Sequence, residues 1–422
     1  MRKQAKRAAV RRVFVALVPV LAGICLFSLP VTRMIRAAGP SVVQFNAATY
    51  TVQEGLTFKT ITVVRTGDVS GPATVDYATA GVTASQRTDY TSAFGTLRFA
   101  ANESSKTFDV LISEDLKIEG PETFTITLTN GTGQALLGTP STASVIIDDD
   151  PIESGPNPID FTDVFVGQHY HDFLARQSDS SGELFWENQI GTCGSNQTCI
   201  DDRRTNVSAA FFLSIEFQQT GYFVIRAHKA AFGSARTVPR YLPFLKDQRR
   251  VNENVIVGQT GWELTLDANR DAYLQEFVSR PEFNSAFPQG IGALTYVDTL
   301  FANSGVTPTA SERQAAITAY GSGNTVGRAA ALKSVIDSDS VYNAQYNPAF
   351  VLMQYFGYLR RDADDPPDNN FVGYDFWLAK LNQFTVAGEN VRDDRVALAR
   401  VKRADMVKSF LVSAEYRGRF GV

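Results

Sequence analysis

Acidic side chains stand next to strand-like sequence at two places in the first third of the chain. The segment 111–124 reads LISEDLKIEGPETF and carries the carboxylates of Glu114, Asp115, Glu119 and Glu122. The second place is a triplet made of Asp148, Asp149 and Asp150. Carboxylate oxygens are preferred ligands of Ca²⁺, which takes about six to eight of them. The pattern therefore indicates a site for a hard cation.

Short strands separated by turn signals surround these acids. In residues 123–129, Phe124, Ile126 and Leu128 alternate with threonines, so one face is buried and the other is wet. The predicted strands cover residues 42–45, 60–65, 73–77, 96–99, 106–112, 123–129 and 144–147. This spacing predicts an antiparallel β-sandwich of the immunoglobulin-like type over residues 41–150.

The order of the predicted strands indicates at which end of the sandwich each acidic residue lies. Consecutive antiparallel strands reverse direction, so every second connection lies at the same end. The first connection contains Glu54, the third contains Asp89, the fifth contains the acids of 111–124, and the last strand runs into the aspartate triplet. Crowded carboxylates repel one another unless a cation compensates them. We therefore predict a calcium site, with a solvated acidic rim as the alternative.

Residues 41–150 resemble a Calx-β domain, the calcium-binding sandwich of sodium-calcium exchangers and many bacterial surface proteins. The resemblance rests on YTVQEG at 50–55, TDY at 88–90, the D-x-x-x-E-x-x-E-x-F motif at 115–124 and the terminal triplet. It implies Ca²⁺ as the bound ion. The ligands it implies are Glu54, Asp89, Asp115, Glu119, Glu122 and members of the triplet Asp148, Asp149 and Asp150. Glu114 stands where an aspartate is common in the family and completes the predicted set.

Length and charge limit the class of protein. A chain of 422 residues exceeds one ordinary domain, so we expect two folded domains and an export segment. Lys and Arg total 40 and Asp and Glu total 44, a formal net charge of −4, which gives no reason to expect a nucleic-acid partner.

The N-terminus has the pattern of an export signal. Six basic residues among the first 12 precede an uncharged run over 13–32. Residues 1–38 are predicted to be a signal peptide or, because the run is about long enough to cross a bilayer, an uncleaved signal anchor. Either arrangement keeps the N-terminus inside and puts the rest of the chain outside the cytoplasm.

Cysteine usage agrees with export. Cys193 and Cys199 lie in one polar, Gly-rich loop, GTCGSNQTC. An oxidising compartment permits a local disulfide between them, which would mostly constrain its own loop. A zinc site would need a second Cys or His pair nearby, and a redox motif would have the tighter C-x-x-C spacing.

Beyond residue 150 the pattern changes from strand to helix. The segment 151–159 begins PIESGPNP, and its three prolines and one glycine favour an extended linker. From residue 160 onward apolar residues recur at helical spacing, as in Phe161, Phe165 and Phe173. Residues 160–422 are therefore predicted to be mainly α, with helices that include 271–278, 311–320, 327–336, 349–360 and 391–412.

The helical half repeats itself. FVGQHYHDFLARQSD followed by GELFW, within 165–186, matches FVLMQYFGYLRRDAD followed by GYDFW, within 350–377. A shorter unit recurs as FFLSIEF, FVSRPEF and FLVSAEY at 211, 277 and 410. Recurring units indicate stacked helical modules with a shared core. This half resembles the bacterial domain-of-unknown-function family 4214, which is distantly like phycobilisome linker domains and brings no established catalytic residue.

Other polar motifs favour structure over chemistry. His169 and His171 lie about 200° apart around a helix, so they cannot hold one metal together. The Gly-rich segment 321–327 has the wrong spacing for a nucleotide loop and is predicted to connect two helices. The acidic segment 362–368 lacks the glycine of an EF-hand, so local turn chemistry is favoured over a second calcium site.

These patterns predict an exported, calcium-binding surface protein, secreted or anchored by its N-terminal segment. We expect a role in adhesion, cell communication or matrix binding, with a surface protein or a polysaccharide as partner and Ca²⁺ rigidifying the sandwich. One alternative is a polysaccharide-active enzyme with its site in the helical half, although no pair of catalytic acids stands out there. Another is a purely structural assembly linker.

Overall fold

The computed structural model describes residues 40–133 and 135–421. The predicted export segment, residues 1–38, lies outside the described residues. Within the described part of the chain, none of the helices combines the length and the apolar character that a membrane crossing requires.

Two β-sheets form the first part of the protein. The strands are β1 Ser41–Phe45, β2 Thr49–Gln53, β3 Thr57–Gly67, β4 Ala73–Gly81, β5 Phe94–Phe99, β6 Ser105–Ile112, β7 Glu122–Thr129, β8 Ala135–Leu137 and β9 Thr142–Asp148. One sheet has the order β6-β3-β1-β8 and the other the order β2-β9-β7-β4-β5. Inward-facing side chains of both sheets, among them Phe45, Ile61, Phe124 and Val145, form one buried core.

The sandwich differs from the prediction at the strand that opens it. β1 pairs with β3 and β8 in one sheet, whereas β2 pairs with β9 in the other, so the chain changes sheets between Phe45 and Thr49. The β1–β8 and β2–β9 pairs are parallel. The expectation of a wholly antiparallel sandwich was therefore wrong for these two pairs. The crossing brings the start of the domain beside its last strand, where the predicted metal site lies.

Helices make up the rest of the chain. After a 3-10 turn at Pro158–Asp160 they are α1 Thr162–His169, α2 Ser180–Gly191, α3 Gln197–Leu213, α4 Ile215–Gln219, α5 Gly221–Phe232, α6 Tyr241–Val251, α7 Trp262–Phe277, α8 Pro281–Ala286, α9 Ala293–Asn303, α10 Ala310–Tyr320, α11 Thr325–Ile336, α12 Asp339–Met353, α13 Val372–Asn382, α14 Asp394–Arg403, α15 Met406–Leu411 and α16 Ala414–Arg417. The segment predicted as one helix over 391–412 is broken at Asp405, whose φ is 51°.

The two long matching segments follow the same course. α1 passes into a π-helical turn at Tyr170–Leu174, and α12 passes into one at Gln354–Tyr358. Each segment then reaches a residue with positive φ, Ala175 or Arg360, before α2 or α13 begins. The succession of elements is thus the same in both segments.

The helices pack directly against the sandwich. Asp172 is buried between the guanidinium groups of Arg360 and Arg419, at 3.0 Å from each. Arg360 also donates to the carbonyl oxygen of Tyr90 and to Ser113 Oγ, both at 3.2 Å. Because these contacts join the two parts directly, the connector 151–157 does not hold them apart.

Candidate metal centre

The parallel pairing of β2 and β9 positions the first predicted ligand. Gln53 is aligned with Asp148, and the next residue, Glu54, donates its backbone N–H to the Asp148 carbonyl at 2.8 Å. Gly55 has a φ of 138° and donates to the Ser113 carbonyl at 3.3 Å. A residue with a side chain rarely adopts that φ. The glycine therefore lets Glu54 lie between the end of β9 and the loop after β6.

The loop between β4 and β5 brings in Asp89. Its carboxylate accepts the Ser85 N–H at 2.5 Å, and its carbonyl accepts the Ser113 N–H at 2.8 Å. The side chain is only 4% exposed, and its Oδ1 has no hydrogen-bond partner among the described residues. A buried carboxylate oxygen without a partner is costly. It therefore marks a place where a cation would stabilise the protein.

Asp89 belongs to a first group of ligands. One oxygen each from Asp89, Glu119 and Glu122 lie within 4.8 Å of one another. Burial raises the pKa of Glu122 to about 8, with the neighbouring Asp89 carboxylate adding to the shift. Burial, followed by the charge of Asp89, also raises the pKa of Glu119.

A second group joins the end of β2 to the segment after β9. It consists of Glu54, Asp149 and Glu153, again with one oxygen from each within 4.8 Å of the others. Asp149 is oriented by the Gly120 N–H, which donates to its Oδ2 at 3.0 Å. Burial raises the pKa of Glu54 to about 9, and the charges of Asp115 and Glu153 add to this shift. Sequence reasoning missed Glu153, which is a single acid in a proline-rich connector.

The other predicted ligands lie at the same end but outside the two groups. Asp115 is 1% exposed and is paired with Lys117, whose Nζ lies 3.1 Å from Asp115 Oδ2. Burial, with the charges of Asp150 and Glu153, raises the pKa of Glu114 to about 7. Asp148 is the last residue of β9, and Asp150 accepts the Ile152 N–H at 2.6 Å. The structure thus gathers part of the predicted set and leaves Glu114, Asp115, Asp148 and Asp150 around it.

The donor set fits calcium. All these side chains offer carboxylate oxygens, which are hard ligands. Two oxygens bound to one Ca²⁺ at about 2.3–2.6 Å lie at most about 5 Å apart, which agrees with both groups. Among the described residues, the ion pair of Lys117 with Asp115 is the only one that involves these acids. Buried negative charge without enough positive charge beside it raises the pKa values of these carboxyl groups. The same uncompensated charge makes the site suitable for a cation.

The comparisons with known proteins concern the part of the chain that contains these acids. A family model of the Calx-beta domain matches residues 37–151. Residues 37–151 form a Calx-beta domain. The chain is 35% identical over 114 residues to the sodium/calcium exchanger Calx of Drosophila melanogaster, covering 27% of this chain and 12% of that protein. It therefore spans a small part of the relative's length.

Two solved structures align with the same fraction of the chain. The apo-form Calx CBD1 domain is 34% identical, covers 26% of this chain and 97% of that chain, and has a TM-score of 0.26. The calcium binding domain CBD12 of CALX1.1 is 35% identical, covers 26% of this chain and 45% of that chain, and has a TM-score of 0.25. The resemblance of residues 160–422 to the domain-of-unknown-function family 4214 stays a prediction.

The predicted disulfide is present. Cys193 follows α2, Cys199 lies in the first turn of α3, and their sulfur atoms are 1.98 Å apart. The side chain of Asn196, between the two cysteines, accepts the Cys199 N–H at 3.1 Å and caps α3. The covalent bond and the cap together fix the turn that joins the two helices.

The histidines lie in the helical core. His169 contacts the Phe165 carbonyl and Ser208 Oγ, each at 2.7 Å, and burial lowers its pKa to about 4. Burial lowers the pKa of His171 to about 3. Both are therefore neutral near pH 7. The pairing of His228 with Asp247 at 2.8 Å, across 19 residues of sequence, had no local signal.

Several carboxylates of the acidic segment 362–368 form ion pairs with arginine side chains. Asp364 and Asp362 pair with Arg240, and Asp368 pairs with Arg361 at 2.7 Å. Arg361 lies within the same stretch of chain, and Asp365 accepts the Asp362 N–H at 3.0 Å, whereas Arg240 is distant in sequence. Local turn chemistry in place of a second calcium site stays a prediction. In the Gly-rich segment, residues 321–324 connect α10 to α11, as predicted, and residues 325–327 form the start of α11.

Proposed function

We propose that this protein is an exported, calcium-binding surface protein whose β-sandwich is rigidified by Ca²⁺. One observation carries the proposal. Two groups of carboxylates, buried or half-buried except for the exposed Glu119, meet at one end of a Calx-beta domain without enough positive charge beside them. One Ca²⁺ would be held by Asp89, Glu119 and Glu122 and a second by Glu54 and Asp149, with the other predicted acids close by.

Ligation would join parts of the sandwich that are far apart in sequence. The carboxylates come from the end of β2, the β4–β5 loop, the β6–β7 loop and the end of β9. Cations held by these four segments would remove their mutual repulsion and hold that end of the sandwich together. At a Ca²⁺ concentration of a hundred times the dissociation constant, binding would add about 2.7 kcal/mol to the free energy of unfolding.

Export is supported by two independent features. The N-terminal sequence has a basic segment followed by an uncharged run, and the chain holds a disulfide between Cys193 and Cys199. Disulfides persist outside the reducing cytosol. The calcium concentrations met there suit extracellular modules, which bind at about 10⁻⁴ to 10⁻³ M.

The helical half is proposed as a module for contact or assembly at the cell surface. Its recurring units resemble the domain-of-unknown-function family 4214, and stacked helical units present extended surfaces to partners. We propose a surface protein or a polysaccharide as the partner, with adhesion or matrix binding as the role. A purely structural assembly linker is an alternative to this role.

A polysaccharide-active enzyme is the rival from another class, and one cavity bears on it. The cavity, of about 460 Å³, lies between β5–β6 and α6–α7 and contains four acids. Glu276 pairs with Arg98 and Arg250, and Glu253 pairs with Arg250. Each of the other two, Glu103 and Asp247, also has a basic partner. Glycoside hydrolysis needs one protonated and one free carboxyl group. The pairing of all four acids favours binding over catalysis.

Unfolding measurements test the proposal. The full chain is melted with Ca²⁺ and with a chelator, beside the variants Asp149→Asn and Glu103→Gln. Glu103 lies near the opposite end of the sandwich and pairs with Lys106 at 2.8 Å, so it serves as the control. We expect chelation to lower the melting temperature of the wild type and of the control. The decrease in melting temperature should be much smaller for Asp149→Asn. A wild type that melts identically in both conditions refutes the calcium proposal.

A further inference from the structure

Glu153 lies outside the matched domain, in the connector that leads to the helices. It follows the aspartate triplet by three residues, and the Asp150 carboxylate accepts the Ile152 N–H at 2.6 Å, which turns the chain there. One Glu153 oxygen lies within 4.8 Å of an oxygen of Glu54 and an oxygen of Asp149. The connector therefore places the Glu153 carboxylate beside the acidic end of the sandwich.

The Glu153 carboxylate is shielded from water and is not compensated. Both of its oxygens are buried, and neither has a hydrogen-bond partner among the described residues. The Glu54 carboxylate, which Glu153 faces, is also buried and without a partner. Glu54 is only 9% exposed, and no hydrogen bond from the described residues reaches its carboxylate. A buried carboxylate normally has a hydrogen bond or an opposite charge.

Two carboxylates that face each other without partners repel one another, and a bound cation would offset that repulsion in place of a proton. No arginine or lysine of the described residues forms an ion pair with Glu54, Asp149 or Glu153. Three carboxylates with oxygens this close match the ligand spacing of a calcium ion. The arrangement therefore favours a cation whose coordination includes the connector.

We propose that Glu153 is a calcium ligand of this chain, completing the second group with Glu54 and Asp149. The inference rests on the proposed function, because it assigns an additional ligand to the same end of the sandwich. Its consequence is specific to this protein. Ca²⁺ bound there would fasten residues 151–153 to the sandwich and so fix the first residues of the connector to the helical half.

A titration of the full chain with Ca²⁺ tests the ligand. Wild type, Glu153→Gln and the control Glu103→Gln are titrated by calorimetry, and Glu153→Ala serves if the Gln variant does not fold. We expect the wild type and the control to bind alike and the Glu153 variants to lose about tenfold in affinity for one ion, because ligand charge sets the affinity. Equal affinities in all the proteins overturn the inference and leave the proposed function standing. A wild type that binds no Ca²⁺ overturns both.

Hydrogen exchange gives a second readout that does not depend on affinity. Saturating Ca²⁺ is expected to slow exchange of the backbone amides in 152–155 of the wild type and of Glu103→Gln. In Glu153→Gln at saturating Ca²⁺ the amides of the β6–β7 loop should still be protected, whereas those of 152–155 should not. Equal protection of the connector in wild type and Glu153→Gln contradicts the inference.

Discussion

The guanidinium of Arg360 donates a hydrogen bond to the carbonyl of Tyr90 at 3.2 Å, one residue after Asp89. The same nitrogen donates to Ser113 Oγ, also at 3.2 Å, one residue before Glu114. Arg360 is itself held by Asp172 at 3.0 Å. The helical half therefore contacts and stabilises the two loops that carry several of the candidate ligands.

Replacing Arg360 with methionine should weaken both parts of the protein. The change removes a buried cation and leaves Asp172 with Arg419 as its remaining ion-pair partner among the described residues. Loss of one member of a buried ion pair costs about 3–5 kcal/mol. We expect the free energy of unfolding in urea to fall by about this amount and the Ca²⁺ affinity to fall with it. Arg395→Met is the control, because that side chain is 90% exposed. An Arg360→Met protein as stable as the control would contradict this account of the interface.

Stability without calcium should fall as the pH rises. The pKa is about 9 for Glu54, about 8 for Glu122 and about 7 for Glu114, each raised from 4.5. These three groups therefore bind more protons in the folded protein than in the unfolded chain between about pH 4.5 and about pH 9, and the stability they contribute is lost across that window. His169 and His171, whose pKa values are lowered by burial, act in the opposite direction below about pH 6.5, so the three carboxyls dominate above that pH. Ca²⁺ competes with these protons, so its affinity should rise with pH. Urea unfolding at about pH 6 and about pH 8.5, with chelator and with Ca²⁺, checks both statements. Stability in chelator that increases with pH over this range would show that the carboxylates are not protonated as described.

In both copies of the repeated Gly-x-x-Phe-Trp pattern, a tyrosine hydroxyl packs so closely against the glycine that a larger side chain would not fit. A Cβ on Gly373 would lie 2.6 Å from the hydroxyl oxygen of Tyr355, and one on Gly182 would collide with the hydroxyl of Tyr170. Gly373→Ala should therefore destabilise the protein by about 1–3 kcal/mol, although alanine favours helix. Gly191→Ala, with no atom within 4 Å of its Cβ, should have little effect. Chemical denaturation of both variants makes the comparison, and equal stabilities would remove the reason given for the glycine.

Removing the disulfide should cost little and leave calcium binding intact. Cys193 and Cys199 are separated by 6 residues, so the bond constrains a short loop. A ring of this size contributes about 2 kcal/mol. The double variant Cys193→Ser and Cys199→Ser is expected to unfold at slightly lower urea concentration and to bind Ca²⁺ as the wild type does. A large loss of calcium affinity would show that this loop and the sandwich are coupled.

Local periodicity explains what could be predicted of the sandwich. The alternation in 106–112 and 123–129 corresponds to β6 and β7, with ends within one residue of those predicted. Counting strand reversals was enough to place Glu54, Asp89 and the acids of 111–124 at one end. The short strand β8 and the sheet change between β1 and β2 left no such pattern, so the two parallel pairs were missed.

Contacts between distant parts of the chain could not be predicted. Asp172, Arg360 and Arg419 are ordinary charged residues in helical sequence, and only the fold brings them together. Glu153 lies in a segment for which the sequence predicted only an extended linker, so nothing local marked it as a ligand. Asp115 matched the ligand pattern, but the Lys117 that pairs with it lies only two residues away and could have been weighed.

Direct calcium binding tests the central claim most sharply. Equilibrium dialysis of the full chain against Ca²⁺ at near-millimolar concentration measures the number of ions bound, with Asp89→Asn as the comparison. Asp89 is buried and has an oxygen without a partner, so its charge is the one the ion would compensate most directly. We predict saturable binding by the wild type and the loss of at least one ion in Asp89→Asn. No saturable binding by a folded wild-type protein would contradict the account.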